Sequence, residues 1–285
     1  MVEFTDRRLT PRGRAGARMQ VASNTAGMFA EPEPGAELVS EALFGEVFTV
    51  YEHRDGFIRG QLETDRYVGW VAEEALVDKP YRATHRVSHL RTYVFSEPDL
   101  KSTPSGLLSL NAQVKAGDVE GEFIECNRIG WVFNGHLSDV ETFERDPAYV
   151  ATWFMHSPYL WGGCEGLGLD CTGLTRAAFG ACGVKLPRDS DMQFAWAGEP
   201  VEDWDEPGKL KRNDLVFWKG HVGIMLDSKI LLHANAHHMA VAYEPLTDAI
   251  ERIAKTSGEP VGARRIDIEL ETGKLPEWYR AVTEG

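Results

Sequence analysis

Cys171 is the residue of this chain with the clearest chemical potential. It follows Asp170 at the end of the glycine-rich run YLWGGCEGLGLDCTGL, where Gly162, Gly163, Gly166 and Gly168 permit a tight, backbone-exposed approach. It also opens a segment with Leu174, Ala177, Ala178 and Ala181 at helical spacing, and Gly183 suits the C-terminal cap of that helix. A thiol in the first turn of a helix meets unpaired N–H groups and the positive end of the helix dipole, and both favour thiolate over thiol. Isolated cysteines are more often inert buried thiols, so a nucleophile needs a base nearby.

Two imidazoles supply one. In DLVFWKGHVGIMLDSKILLHANAHHMAVAYEPL, residues 214–218, 221–226, 229–235 and 240–246 are short apolar or alternating runs. They are broken by Lys219-Gly220, Asp227-Ser228 and His237-His238, which predicts an antiparallel meander. His221 opens one strand and His233 sits late in the next. A loop of Asp227, Ser228 and Lys229 between Leu226 and Ile230 puts both rings on one face. His233 then lies opposite Gly223, which leaves room for a leaning imidazole, and His221 is its diagonal neighbour. A base whose second nitrogen is held by a polar partner is the generalised triad: Cys171 as nucleophile, His221 as base, His233 as the orienting residue. The expected reactive form is a thiolate–imidazolium pair of Cys171 and His221.

The run from Tyr159 to Leu174, LPRDSDMQ at 186–193 and the block from Asp214 to His233 together resemble the NlpC family of papain-like bacterial cell-wall peptidases. The family's Asp-Cys-Ser-Gly is matched by Asp170-Cys171-Thr172-Gly173, and its His-Val-Gly-Ile by residues 221–224. Thr172 departs from the usual serine, keeping the hydroxyl and adding a methyl group. Cys164, in the preceding loop, has no family counterpart; a bridge to Cys171 would switch the enzyme off but demands narrow geometry, so a spectator thiol is expected. The resemblance implies that Tyr159 forms the oxyanion hole with the Cys171 backbone N–H. It covers about half of the chain, implies no metal or organic cofactor, and implies an α+β catalytic domain with helices packed on an antiparallel sheet.

Upstream, residues 28–78 and 94–140 carry a faint repeat. Glu31-Pro32 precedes Phe57-Ile58 by the interval separating Glu97-Pro98 from Phe123-Ile124, and each copy then reaches Gly-Trp-Val, at 69–71 and 130–132. The alternating stretches between them predict small β-barrels of five or so strands. The copies resemble bacterial SH3-like domains. The implied organisation is an N-terminal arm (1–16), two SH3-like domains (17–79 and 80–142) and the NlpC-type domain (143–285).

Within the family, a subgroup with two such barrels cleaves the bond between γ-D-glutamate and the diamino acid, diaminopimelate or lysine, of peptidoglycan stem peptides with a free N-terminal L-alanine. By that resemblance Glu46 and Tyr67 reach toward the substrate amine, while Asp170, Thr172, Asp189 and Ser190 line the cleft. A substrate ammonium needs such a carboxylate partner, because a desolvated unpaired charge is costly. A related acyltransferase or amidase, or a non-catalytic peptide-binding protein, is the alternative; the complete set Tyr159, Cys171, His221 and His233 argues against the latter.

The 285 residues are 43% hydrophobic and 26% charged, enough for sizeable cores. A net charge of -14 argues against nucleic acid, anionic membranes and wall polymers, and favours a small peptide partner. The charged N-terminus MVEFTDRRLTPRGRAGARMQ lacks a signal-peptide core, and Cys126, Cys164, Cys171 and Cys182 show neither metal spacing nor a disulfide framework. The expectation is a cytoplasmic enzyme that recycles imported wall peptides; the sequence does not fix its oligomeric state. Asp146-Pro147 predicts a helix to about His156, with Tyr149, Val150, Trp153 and Phe154 packed beneath the active-site loop. His237 and His238, as adjacent strand residues without a carboxylate cluster, are not expected to bind metal. The tail from Gly258, with Arg264 and Arg265, predicts a final strand and a short terminal segment without legible function.

Overall fold

The structure is a computed structural model that describes residues 5–284; residues 1–4 of the expected arm lie outside it. The chain divides into two compact units, Arg7–Phe143 and one that begins at Glu144. The arm is not free where it is described. Leu9 is fully buried, its carbonyl accepts the Gln61 side-chain amide at 2.6 Å, and the Arg8 carbonyl accepts the Val68 N–H at 2.8 Å.

In the first unit, seven strands form one sheet: β1 (Arg18–Val21), β2 (Thr25–Phe29), β3 (Leu38–Leu43), β4 (Val47–Arg54), β5 (Phe57–Leu62), β6 (Val68–Ala72) and β7 (Leu76–Asp78). Their order is β3-β2-β6-β5-β4-β1-β7. Eight more follow: β8 (His85–Val87), β9 (Arg91–Phe95), β10 (Pro104–Ser109), β11 (Gln113–Val114), β12 (Ala116–Glu120), β13 (Phe123–Cys126), β14 (Gly130–Phe133) and β15 (Leu137–Asp139). They make a five-stranded sheet, β10-β9-β14-β13-β12, and a three-stranded one, β11-β8-β15. Both Gly-Trp-Val triplets lie in strands with equivalent neighbours. Ile58 pairs with Val71 and Ile124 with Val132, and each triplet strand leads through a 3₁₀ turn into a three-residue strand. Phe44 packs with Val87, Val94, Leu108 and Ile124, so one apolar cluster joins the two halves of this unit. Gly45 makes that approach possible, because a Cβ there would stand 1.8 Å from the Gln113 carbonyl.

The second unit contains α1 (Pro147–Thr152), the two-residue strands β16 (Cys164–Glu165) and β17 (Gly168–Leu169), α2 (Cys171–Ala181), α3 (Ser190–Trp196) and β18 (Glu199–Pro200). The strands of the meander follow as β19 (Leu215–Trp218), β20 (His221–Met225), β21 (Ile230–Asn235) and β22 (Ala240–Pro245). Then come α4 (Leu246–Ser257), β23 (Gly262–Arg265), α5 (Ile268–Glu271) and α6 (Glu277–Glu284). The antiparallel sheet runs β18-β23-β19-β20-β21-β22. The buried Asp214 carboxylate, just ahead of β19, takes two hydrogen bonds from Arg265 on β23, at 2.7 and 2.6 Å, which gives the final strand's arginine a structural role.

Helix α2 lies between α1 and the faces of β20 and β21. Leu174, Ala177, Ala178 and Ala181 are all buried, as is Phe179. Its end is a Schellman motif: Gly183, at φ +75°, donates to the Gly180 carbonyl and Val184 to that of Phe179. Helix α1 is shorter than its sequence predicts, ending at Thr152 rather than His156. Val150 and Phe154 are buried as expected, but Tyr149 is exposed, edge-on to Trp153 at 5.6 Å, because it falls on the opposite side of this short helix.

Candidate active site

Asp170 is the N-cap of α2, and its short side chain turns back to accept the Gly173 N–H at 2.7 Å. The same oxygen receives the Thr172 hydroxyl at 2.9 Å, and the other takes the Gly162 N–H at 3.0 Å. Arg188 completes the set, reaching both carboxylate oxygens, at 3.1 and 2.6 Å, and the Thr172 hydroxyl. Burial alone would raise the Asp170 carboxyl, but the Arg188 charge and these hydrogen bonds hold it below its ordinary value. Asp170 and Thr172, expected to line the cleft, are buried and tied into this internal network, because a buried carboxylate must satisfy its lone pairs locally. Arg188 itself received no role from sequence. Its signal was a guanidinium directly after Leu186-Pro187, in a segment where a charge can be buried only with a partner.

At the first position of α2, the Cys171 sulfur meets the Val222 backbone N–H, which places the thiol against the start of β20, beside His221 in sequence. From His221 a chain of contacts runs inward. Its Nε2 lies 2.8 Å from His233 Nδ1, and His233 Nε2 lies 2.8 Å from Glu244 Oε1. Arg252, on α4, binds the same Glu244 oxygen. His221 is half-buried and His233 fully buried. The register Ile224–Leu232 and Met225–Leu231 is the one the three-residue loop predicts. The space at Gly223 is used differently, however: an added Cβ would stand 2.6 Å from the Leu231 side chain, the diagonal neighbour on that face. Glu244 was missed, although its signal lay in register. His233 pairs with Ala242, so Glu244, two residues on, presents its side chain to the same face.

The electrostatics correct the expectation of a depressed thiol. Burial first, then the Asp170 carboxylate, pushes Cys171 up to about 12, so the N-cap carboxylate cancels what the helix end would contribute. Burial and the neighbouring His233 hold His221 down to about 3. Each group alone favours its neutral form, and a proton passed from sulfur to imidazole charges both together. Burial likewise lowers His233, outweighing the Glu244 carboxylate that would raise it.

Tyr159 is half-buried, and its phenol is raised by burial and by its neighbours Cys171 and Asp170, so it keeps its proton. Asp189 stands at the N-cap position of α3 and Ser190 is its first residue, both half-buried. Glu46 and Tyr67 belong to the other unit. Glu46 follows β3 as a buried carboxylate that accepts the Leu43 N–H at 2.7 Å. Tyr67 is buried between β5 and β6, with its N–H held by Asp65 at 2.9 Å. The four cysteines are free thiols, and Cys164 accepts a hydrogen bond from Arg176 at 3.5 Å. His237 and His238 lie in a turn, not a strand. His238, His233 and Glu244 bring possible ligand atoms within 4.8 Å of one another, but Arg252 already puts a cation on that carboxylate.

An antiparallel sheet packed with helices, a thiol heading the helix that lies against β20 and β21, and paired imidazoles on those two strands define a papain-like cysteine hydrolase. Comparison with known proteins is more specific. The NlpC/P60 family model matches residues 156–253, and the model for the bacterial dipeptidyl-peptidase Sh3 domain matches residues 28–76. The γ-D-glutamyl-L-lysine dipeptidyl-peptidase of Bacillus cereus is 31% identical over 249 residues, spanning 74% of this chain and 71% of that protein. Dipeptidyl-peptidase 6 of Lysinibacillus sphaericus is 25% identical over 235 residues, spanning 74% and 84%. A crystal structure of an NlpC/P60 family protein from Bacillus cereus superposes with a TM-score of 0.72 at 20% identity, covering 87% of this chain and 99% of that one, a likeness of fold. The chain belongs to the NlpC/P60 family of peptidoglycan cysteine peptidases, and it carries an SH3-like domain ahead of the peptidase domain.

Proposed function

We propose that this enzyme hydrolyses the γ-D-glutamyl–diamino acid bond of peptidoglycan stem peptides that carry a free N-terminal L-alanine, with diaminopimelate or lysine as the diamino acid. The printed activity of the Bacillus cereus relative supports the bond, and the hydrogen bond between His221 and His233 beside the Cys171 thiol carries the chemistry. The Cys171 sulfur attacks the γ-carbonyl carbon as its proton passes to His221. The Tyr159 hydroxyl, protonated as its raised pKa requires, and the Cys171 N–H donate to the oxyanion. His221 returns the proton to the leaving amine as the C–N bond breaks, leaving a thioester. His221 then takes a proton from water, whose oxygen attacks the thioester carbonyl and releases the carboxylic acid and the thiol.

Glu46 and Tyr67 retain the proposed role of recognising the terminal ammonium, and Asp189 and Ser190 that of contacting the peptide. Residues 17–79 and 80–142 are read as two SH3-like domains, supported for the second copy by the matching strand pairs around the two Gly-Trp-Val triplets. A cytoplasmic recycling role fits four unbridged thiols and a net charge of -14. Incubation with L-Ala-γ-D-Glu-diaminopimelate, followed by mass analysis, tests the reading. The wild type should release diaminopimelate, Glu46→Gln should do so with a raised KM, and Cys171→Ala should be inert yet folded. Turnover by Cys171→Ala, or an intact peptide after incubation with wild type, would overturn it.

A further inference from the structure

The contact chain behind the thiol does not stop at the second histidine. We propose that Glu244, held by Arg252, is a positioning residue that sets the protonation pattern of both catalytic imidazoles; this rests on the reading of His221 as the base. A carboxylate paired with an arginine only accepts hydrogen bonds. His233 Nε2, 2.8 Å from Glu244 Oε1, must therefore carry a hydrogen. His233 is buried and neutral, so its Nδ1 is then a bare acceptor. The 2.8 Å contact of that atom with His221 Nε2 requires the hydrogen to sit on His221. Neutral His221 with hydrogen on Nε2 keeps a free lone pair on Nδ1, the atom left to take the Cys171 proton. The opposite pattern would leave Nδ1 protonated and the base blocked.

Arg252 has a distinct part. It binds the same oxygen that His233 uses, fixing which edge of the carboxylate faces the ring. Glu244 and Arg252 sit on consecutive elements, β22 and α4, and α4 is anchored by the buried Leu246, Ala249 and Ile253. The orientation of an imidazole at the site is thereby tied to the packing of a helix that carries no residue of the triad.

Long-range 1H–15N correlation spectra of the histidine-labelled protein near neutral pH report which ring nitrogen holds hydrogen. The expected result is an Nε2–H pattern at both His221 and His233. It should be lost at His233 in Glu244→Ala and retained in Glu244→Gln, whose amide oxygen Arg252 holds in the same direction. Kinetically, Glu244→Ala should lower kcat about tenfold with little change in KM, and Glu244→Gln should recover most of it. In a His233→Ala background the Glu244→Ala change should cost nothing further, as expected of residues that act as a unit. An Nδ1–H or doubly protonated His233 in the wild type, or an equal kcat cost with and without His233, would overturn the proposal. The spectra need no turnover, so a wrong substrate assignment and a wrong positioning role give different results.

Discussion

Glu244 shows how one side chain serves stability and chemistry at once. Burial would raise its carboxyl, but hydrogen bonds from His233 and Arg252, with the Arg252 charge, outweigh that and bring it down to about 2 from 4.5. A carboxyl whose pKa is depressed in the folded state contributes stability above its unfolded pKa and loses it as pH falls through the folded one. Denaturation midpoints of wild type and Glu244→Gln should therefore differ by a constant amount above about pH 5 and converge between about pH 4.5 and pH 2. A gap that persists at pH 2 would contradict this linkage. Cys171, His221, His233 and Tyr159 were legible from their residue types and local motifs. Glu244, Arg252 and Arg188 were not. Their partners lie 11, 8 and 18 residues away in sequence, on other elements, so that no local motif names them.

Among the elements, α2 makes the sharpest demand on sequence. Gly173 sits in its first turn, and helix propensity alone favours alanine there by about 0.8–1 kcal/mol. Packing opposes it: an added Cβ would stand 2.2 Å from the Gly163 carbonyl, a backbone atom that cannot swing aside. Gly173→Ala should lower the melting temperature despite the better helix former, and should separate the Gly162 N–H from Asp170, with a loss of activity larger than the loss of stability explains. A stabilised, fully active variant would show that the loop yields freely. The strands at 214–246 were legible almost to the residue because alternation and turn residues agree. Helix α1 was overextended, since its apolar residues continue into the turn after Thr152 and periodicity cannot see where backbone bonding stops.

For the molecule as a whole, charge and chain order matter most. A net charge of -14 disfavours approach to anionic wall polymers, so the protein should release diamino acid from soluble tripeptide far faster than from intact sacculi. Efficient solubilisation of sacculi would contradict the proposed recycling role. Fold class was legible from the motifs, but the extra strands of the upstream sheets were not, being only two or three residues long. The placement of β23 has a consequence for how the enzyme is made. That strand fills the position between β18 and β19, and its Arg265 neutralises Asp214 in the core. Until the ribosome has delivered Arg265, the peptidase sheet has a missing interior member and an uncompensated internal charge. Nascent chains stalled ahead of Arg265 should remain protease-sensitive through this half, so the catalyst matures only once β23 has been made.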